Sequence, residues 1–145
     1  MSITQHDAIV KAIVAACLTS PALAGGKVSE ESSYAELPEG TAQTIEVSLL
    51  DSQPQRVVFG KVEWLTTVRV ACKARDDRMG ADGRPSSLLG AAIYQRLRTE
   101  PTLGGLAEGI DPPRISPDIN FQATRLGVLN LDFPVRHSTD VTLLT

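Results

Sequence analysis

Residues 62–74, VEWLTTVRVACKA, constrain the fold more than any other stretch of the chain. Val62, Trp64, Thr66, Val68, Val70, Cys72 and Ala74 occupy the even positions. The odd positions hold Glu63, Leu65, Thr67, Arg69, Ala71 and Lys73, with Lys61 and Arg75 just outside. Side chains alternate between faces along a strand, so this period of two predicts one apolar and one largely polar face. The run is about twice the usual strand length. Such a strand forms the spine of a sheet packed on one side only.

The rest of the chain supplies the layer that covers that face. Residues 8–24 are mostly apolar, and Ile9, Val10, Ile13, Val14, Cys17 and Leu18 recur at helical spacing. Thr4 and Asp7 have the spacing of an N-terminal capping pair. Pro21 stops the helix, since proline disfavours helical backbone in the residue before it. Two signal-like readings compete here: Val14-Ala15-Ala16-Cys17 resembles a lipoprotein cleavage box, and Ala22-Leu23-Ala24 a signal-peptidase site. A secretory signal needs a basic segment and then an unbroken apolar run. Residues 2–7 contain no Lys or Arg, and Lys11 interrupts the run. A folded amphipathic helix is therefore expected, and no segment reaches the ~20 apolar residues of a membrane span.

Residues 27–40 read as an irregular connection. Residues 42–50 alternate as a strand, with Ile45, Val47 and Leu49 on one side. Residues 51–55 contain Pro54 and read as a loop, and residues 57–60 begin the second strand. Together they predict an antiparallel hairpin with a sizeable, mobile tip. Residues 76–84 form a charged, glycine-containing loop. Pro85 then suits the first turn of a second helix, whose apolar stripe is Leu88, Leu89, Ala92, Ile93 and Leu97. Arg96 and Arg98 near its end complement the helix dipole.

Both helices end in a similar way, at Thr19-Ser20-Pro21-Ala22-Leu23 and Thr99-Glu100-Pro101-Thr102-Leu103, each leucine expected to fold back onto the core. Pro112, Pro113 and Pro117 predict a stiff linker. Ile119, Phe121 and Ala123 begin an alternating segment. Leu129, Leu131, Phe133 and Val135 point inward from a final strand, with Asn130, Asp132 and Arg136 outward. Pro134 predicts a sheet edge or strand end, and the tail 137–145 carries no signal. The expected fold is α+β, a mainly antiparallel sheet of about four strands with two principal helices packed on one face. Its 145 residues fit a single domain over 1–145. Aromatic residues make up only 4 % of the chain, so the core must be aliphatic.

A search for chemistry finds little. His6 and His137 have no second imidazole or thiol at ligand spacing, so no metal site is expected. No cofactor fingerprint, phosphate loop or nucleophile elbow is present. Asp76, Asp77 and Asp82 lack the ligand alternation of a calcium loop and read as a solvated loop. No nucleophile–base pair is visible, which disfavours a hydrolase. Trp64 reads as a core or interface anchor rather than a ligand platform. Cys17 and Cys72 read as small buried hydrophobes, with a disulfide between them open. A formal charge of −3 argues against a dedicated nucleic-acid binder. The odd face of the long strand has two readings. Arg69, Lys73 and Arg75 form a solvated face, or they meet acidic residues of a neighbouring subunit, with Leu65 and Ala71 between the charges.

The order of elements resembles a known family. An amphipathic helix is followed by Leu37-Pro38, a strand, a loop and a long alternating strand ending in Ala74-Arg75. A second helix with Ile93-Tyr94 closes at Glu100-Pro101-Thr102-Leu103, and final strands end in Phe133-Pro134-Val135. This order is similar to the tail-terminator (tail-completion) proteins of long-tailed bacteriophages, of the lambda minor tail protein U type. The resemblance implies a non-enzymatic structural protein, assembling as a hexameric ring at the head-proximal end of the virion tail after synthesis in the host cytoplasm. Its partners would be the tail tube protein and the head–tail connector protein, with DNA passing through the ring without specific binding and no membrane involved. On this reading Leu65, Arg69, Lys73, Arg75, Asp76, Asp77 and Arg78 are the expected subunit interface, and one or both of the loops 51–60 and 76–84 are mobile in the free subunit and order on ring formation or on docking to the tube. The alternatives are a head-completion or connector ring protein and a lipid-anchored periplasmic protein built on Cys17.

Overall fold

In the computed structural model, residues 3–30, 43–75, 85–120 and 126–145 are described. Helix α1 spans Gln5–Leu18. The Thr4 side chain caps it by accepting from the Asp7 amide, as the spacing predicts. A short 3-10 turn, Leu23–Gly26, leads into strand β1, Val28–Glu30. Strands β2 (Gln43–Val58) and β3 (Lys61–Arg75) are followed by helix α2 (Pro85–Thr99). Strands β4 (Gly109–Ile110), β5 (Arg114–Asn120) and β6 (Leu126–Asp140) complete the chain.

The fold is α+β, with six strands among the described residues where about four were expected. The order is β1-β2-β3-β6-β4, with β5 also on β6. The β1–β2 pair is parallel and every other pair antiparallel. The two extra strands, β1 and β4, are too short to show a period of two. Strand β5 starts earlier than the alternating segment expected from Ile119 and occupies part of the expected proline linker. It pairs only with β6, and an outer strand tolerates proline because its other side demands no donor.

Val68, Val70 and Cys72 of β3 lie fully buried beside Ile45 and Val47 of β2 and Leu131, Phe133 and Val135 of β6. Ile9, Ile13 and Cys17 from α1, and Leu89, Ile93 and Leu97 from α2, join them in one cluster. Leu103 is buried there and Leu23 packs against it, as the two proline stops predict. Leu18 and Leu88 of the predicted stripes are instead exposed. Gly90 marks the close approach of α2 to β6: a Cβ there would sit 2.4 Å from Leu129 Cδ2, and that side chain would have to shift.

The hairpin differs from its expectation. Strand β2 does not break at residues 51–55 but pairs with β3 to its end. The register slips at Leu50 and at Gln55, each an extra residue opposite none. Each bulge inverts the alternation downstream. The face that carries Ile45, Val47 and Leu49 therefore continues through Ser52 and Pro54 and then Val57, buried at Ile45 and Val47 and exposed by Val57. The tip is not a sizeable loop but the two residues Phe59 and Gly60, with φ of +50° and +77°. Positive φ at both central residues is the signature of a type I′ turn. Phe59 is fully exposed in that turn, a conformation costing a bulky residue about 1 kcal/mol.

Pro134 lies inside β6, neither at a sheet edge nor at a strand end. Its carbonyl accepts from the Asp111 amide, so its missing donor faces the same side, the break between β4 and β5. The tail also carries more structure than expected, because β6 runs on to Asp140.

Candidate functional site

The sheet face opposite the helices holds most of the residues expected at an interface. Arg69 and Asp132 stand directly opposite each other on β3 and β6. The guanidinium makes a two-point contact with the carboxylate, at 2.8 and 3.1 Å. Lys73 reaches diagonally to Glu46 of β2 at 3.0 Å. Both cations thus pair with acids of their own chain rather than awaiting those of a neighbour. Leu65 and Arg75 are half-buried on the same face, and Ala71 is buried. Asp76, Asp77 and Arg78, with the rest of the loop 76–84, lie outside the described residues.

Beneath the other face, at the hairpin end, the structure assembles a polar cluster that periodicity did not reveal. Its members are Gln5 and His6 from α1, Ser52 from β2, Thr66 from β3 and His137 from β6. His6 is 8 % and His137 1 % exposed. Ser52 turns inward because of the bulge at Leu50. Its Oγ lies 2.9 Å from His6 Nε2 and 2.7 Å from Thr66 Oγ1. Thr66 Oγ1 lies 2.6 Å from His137 Nε2, and His137 Nδ1 2.9 Å from Gln5 Oε1.

The proton positions follow from the far end. The Gln5 amide donates through Nε2 to the Leu106 carbonyl, so its Oε1 accepts from His137 Nδ1–H. Burial pushes the His137 pKa down to about 4, and the nearby His6 adds to the effect, so the ring is neutral and its Nε2 accepts. Thr66 therefore donates to His137, Ser52 donates to Thr66, and His6 Nε2–H donates to Ser52. The atom left over is His6 Nδ1, a buried acceptor with no partner. Burial lowers the His6 pKa as well, against the opposing charge of Asp7.

The rings of His6 and His137 meet edge to face with centroids 4.8 Å apart, and His6 meets Trp64 likewise at 5.2 Å. The half-buried Trp64 donates from Nε1 to Thr139 Oγ1 at 2.8 Å, which fixes it as an anchor of the fold. The hydroxyl–imidazole pair that spacing could not show is thus present in Ser52 and His6. No carboxylate orients the imidazole, because its other nitrogen is the unpartnered one. The Ser52 proton is committed to Thr66 rather than offered outward. The arrangement locks the first turn of α1 onto three strands. Among the described residues no group of three or more His, Cys, Asp and Glu side chains could hold a metal ion.

A third surface is apolar. Phe59 is fully exposed and Val57 is 62 % exposed at the hairpin tip. The Val141 amide donates to Gly60 O, and the Gln5 amide to Leu144 O. These bonds bring exposed Val141, Leu143, Leu144 and Ile3 to the same end of the molecule. A concave counterpart lies between α2 and β5, formed by Gly90, Tyr94, Pro112, Pro113, Ile115 and Leu129. Among the described residues no charged side chain lines it.

No protein-family model matches this chain, and no curated protein matches it significantly.

Proposed function

We propose that this chain is a structural assembly protein of the phage tail-terminator kind. Copies form a ring, hexameric by the resemblance, that caps the tail tube, ends its polymerisation and offers a surface to the head–tail connector. The observation that carries the reading is the exposed apolar end built by Val57, Phe59, Val141 and Leu143. Monomeric soluble proteins rarely gather so many apolar side chains at one exposed place without a partner for them. The sheet face opposite the helices supports the same reading. Its charges are balanced within the chain, so it can meet a neighbour without stranding an ion. Each copy contributes a formal −3, so any ring of this chain is anionic, which suits DNA that slides rather than sticks.

The fully buried Cys17, in the middle of the core, counts against a lipid anchor at that residue. The test mixes purified protein with growing tail tubes and follows tube length and end occupancy by negative-stain microscopy. Rings at one tube end, with arrested growth, are expected. Rings on capsid portals instead would indicate the head-completion alternative. A chain that stays monomeric and leaves tube length unchanged overturns the proposal.

A further inference from the structure

We infer that the tip of the β2–β3 hairpin is the donor half of a head-to-tail contact, and that Phe59 of one copy seats in the groove between α2 and β5 of the next. The inference rests on the assembly reading and adds the partner surfaces to it. Phe59 stands at the first central position of a turn that favours Asn, Asp or Gly. The fold gains nothing from an aromatic there: the ring is fully exposed and the backbone is left-handed. A costly residue without a local benefit points to a use outside the subunit.

The acceptor is on the same chain but out of its own reach. Phe59 adjoins the start of β3, whereas Leu129 and Leu131 at the groove lie opposite Cys72 and Val70. At ~3.3 Å per residue the two surfaces are roughly 30 Å apart along a rigid strand. The tip therefore meets such a groove only on another molecule. The groove's uncharged lining of Gly90, Tyr94, Pro112, Pro113, Ile115 and Leu129 suits Phe59 and Val57.

Area decides how the contact behaves. One aromatic side chain covers ~150–250 Å², against about 800 Å² per partner in a stable interface. A single tip in a single groove is too small to hold two copies together. A closed array uses the tip and the groove of every copy, which raises the burial to about 300–500 Å² per subunit, so the contact strengthens a larger ring interface rather than holding the ring alone. Joining different patches on each copy is also what generates rings rather than two-fold dimers.

Two variants test this on the full chain. Phe59→Asn retains the turn and removes the ring. It should leave the monomer as heat-stable as the parent or more so, and raise the concentration for half-assembly at least about tenfold. Phe59→Cys combined with Ile115→Cys should give a ladder of disulfide-linked oligomers under mild oxidation, and neither single variant should. Cys17 and Cys72 are buried and stay out of the reaction. Efficient linking of Phe59→Cys alone would mean tip-to-tip pairing. Normal rings from Phe59→Asn, or a double variant that caps tubes without cross-linking, would also overturn the contact while leaving the ring reading intact. Neither assembly nor capping by the parent chain overturns both.

Discussion

Thr66 Oγ1 donates to His137 Nε2 at 2.6 Å, in the middle of a hydrogen-bond relay that runs in one direction from His6 to the Leu106 carbonyl. A relay of this kind takes up a proton only by breaking. Protonating His137 at Nε2 sets a donor against the Thr66 hydroxyl. Protonating His6 at Nδ1 puts a buried N–H where no acceptor stands.

Acid should therefore loosen the fold through these two residues. The His137 pKa falls from its ordinary 6.5 to about 4 in the folded chain, and His6 shifts the same way. The unfolded chain binds these protons first. The stabilisation is complete above about pH 6.5 and is lost as pH falls towards 4. For His137 the loss is on the order of 3 kcal/mol. Urea unfolding between pH 7.5 and 4.5 should show it, and His137→Gln should be weaker at pH 7.5 but flatter in its pH dependence. Equal slopes for the two proteins would exclude this assignment.

Removing one partner of the Arg69–Asp132 pair strands the other. Arg69→Leu leaves a carboxylate that is 8 % exposed beside an apolar neighbour, at a cost of about 1–2 kcal/mol in urea unfolding. The double variant Arg69→Leu with Asp132→Leu should recover most of it. If this face meets a neighbouring subunit, charge reversal at Arg69 should impair assembly. The in-chain pair makes that reversal a folding defect as well, so the double variant is the cleaner probe of that face.

Arg96 holds the end of the other helix. Its guanidinium donates to the carbonyls of Ala16, Cys17, Thr19 and Pro21, at 2.8 to 3.2 Å. Carbonyls in the last turn of a helix have no partner of their own. Arg96→Met should cost about 2 kcal/mol in thermal unfolding. It should also speed amide exchange at the end of α1 more than at the end of α2. Faster exchange confined to α2 would contradict the clamp.

Both cysteines should be inert in the folded chain. Burial raises the Cys17 thiol to about 11 and the Cys72 thiol to about 12. The thiolate is the reactive form, so iodoacetamide at pH 8 should label neither residue until denaturant is added. Intact mass measures this directly, and rapid native labelling of either would place that thiol at the surface.

The sequence made β3 legible because its apolar face never misses a position from Thr66 to Ala74. It also made α1 and α2 legible, since Thr4, Pro21 and Pro85 mark ends by local chemistry. Strand β2 was half hidden. The bulges at Leu50 and Gln55 destroy the period of two that identifies a strand, and Pro54 reads as a breaker. The polar cluster was hidden for a different reason. Gln5 and His137 lie 132 residues apart, and no local pattern announces a contact at that separation. Alternation put Arg69 and Lys73 on the outer face correctly, yet cannot tell that Asp132 and Glu46 await them there. By sequence Arg96 suits the dipole of its own helix, whereas its partners lie at and just beyond the end of α1.

Strand β3 is flanked along its length by antiparallel neighbours, β2 and β6. Interstrand hydrogen bonds run perpendicular to such strands. A pull along β3 therefore loads many of them sideways at once, and the strand resists like a beam glued on both edges. A pull that parts β2 from β3 at Phe59 opens the same bonds one after another, like a zipper. The molecule is mechanically stiff in one direction and soft in the other, and the soft direction begins at the residue that reaches furthest outward.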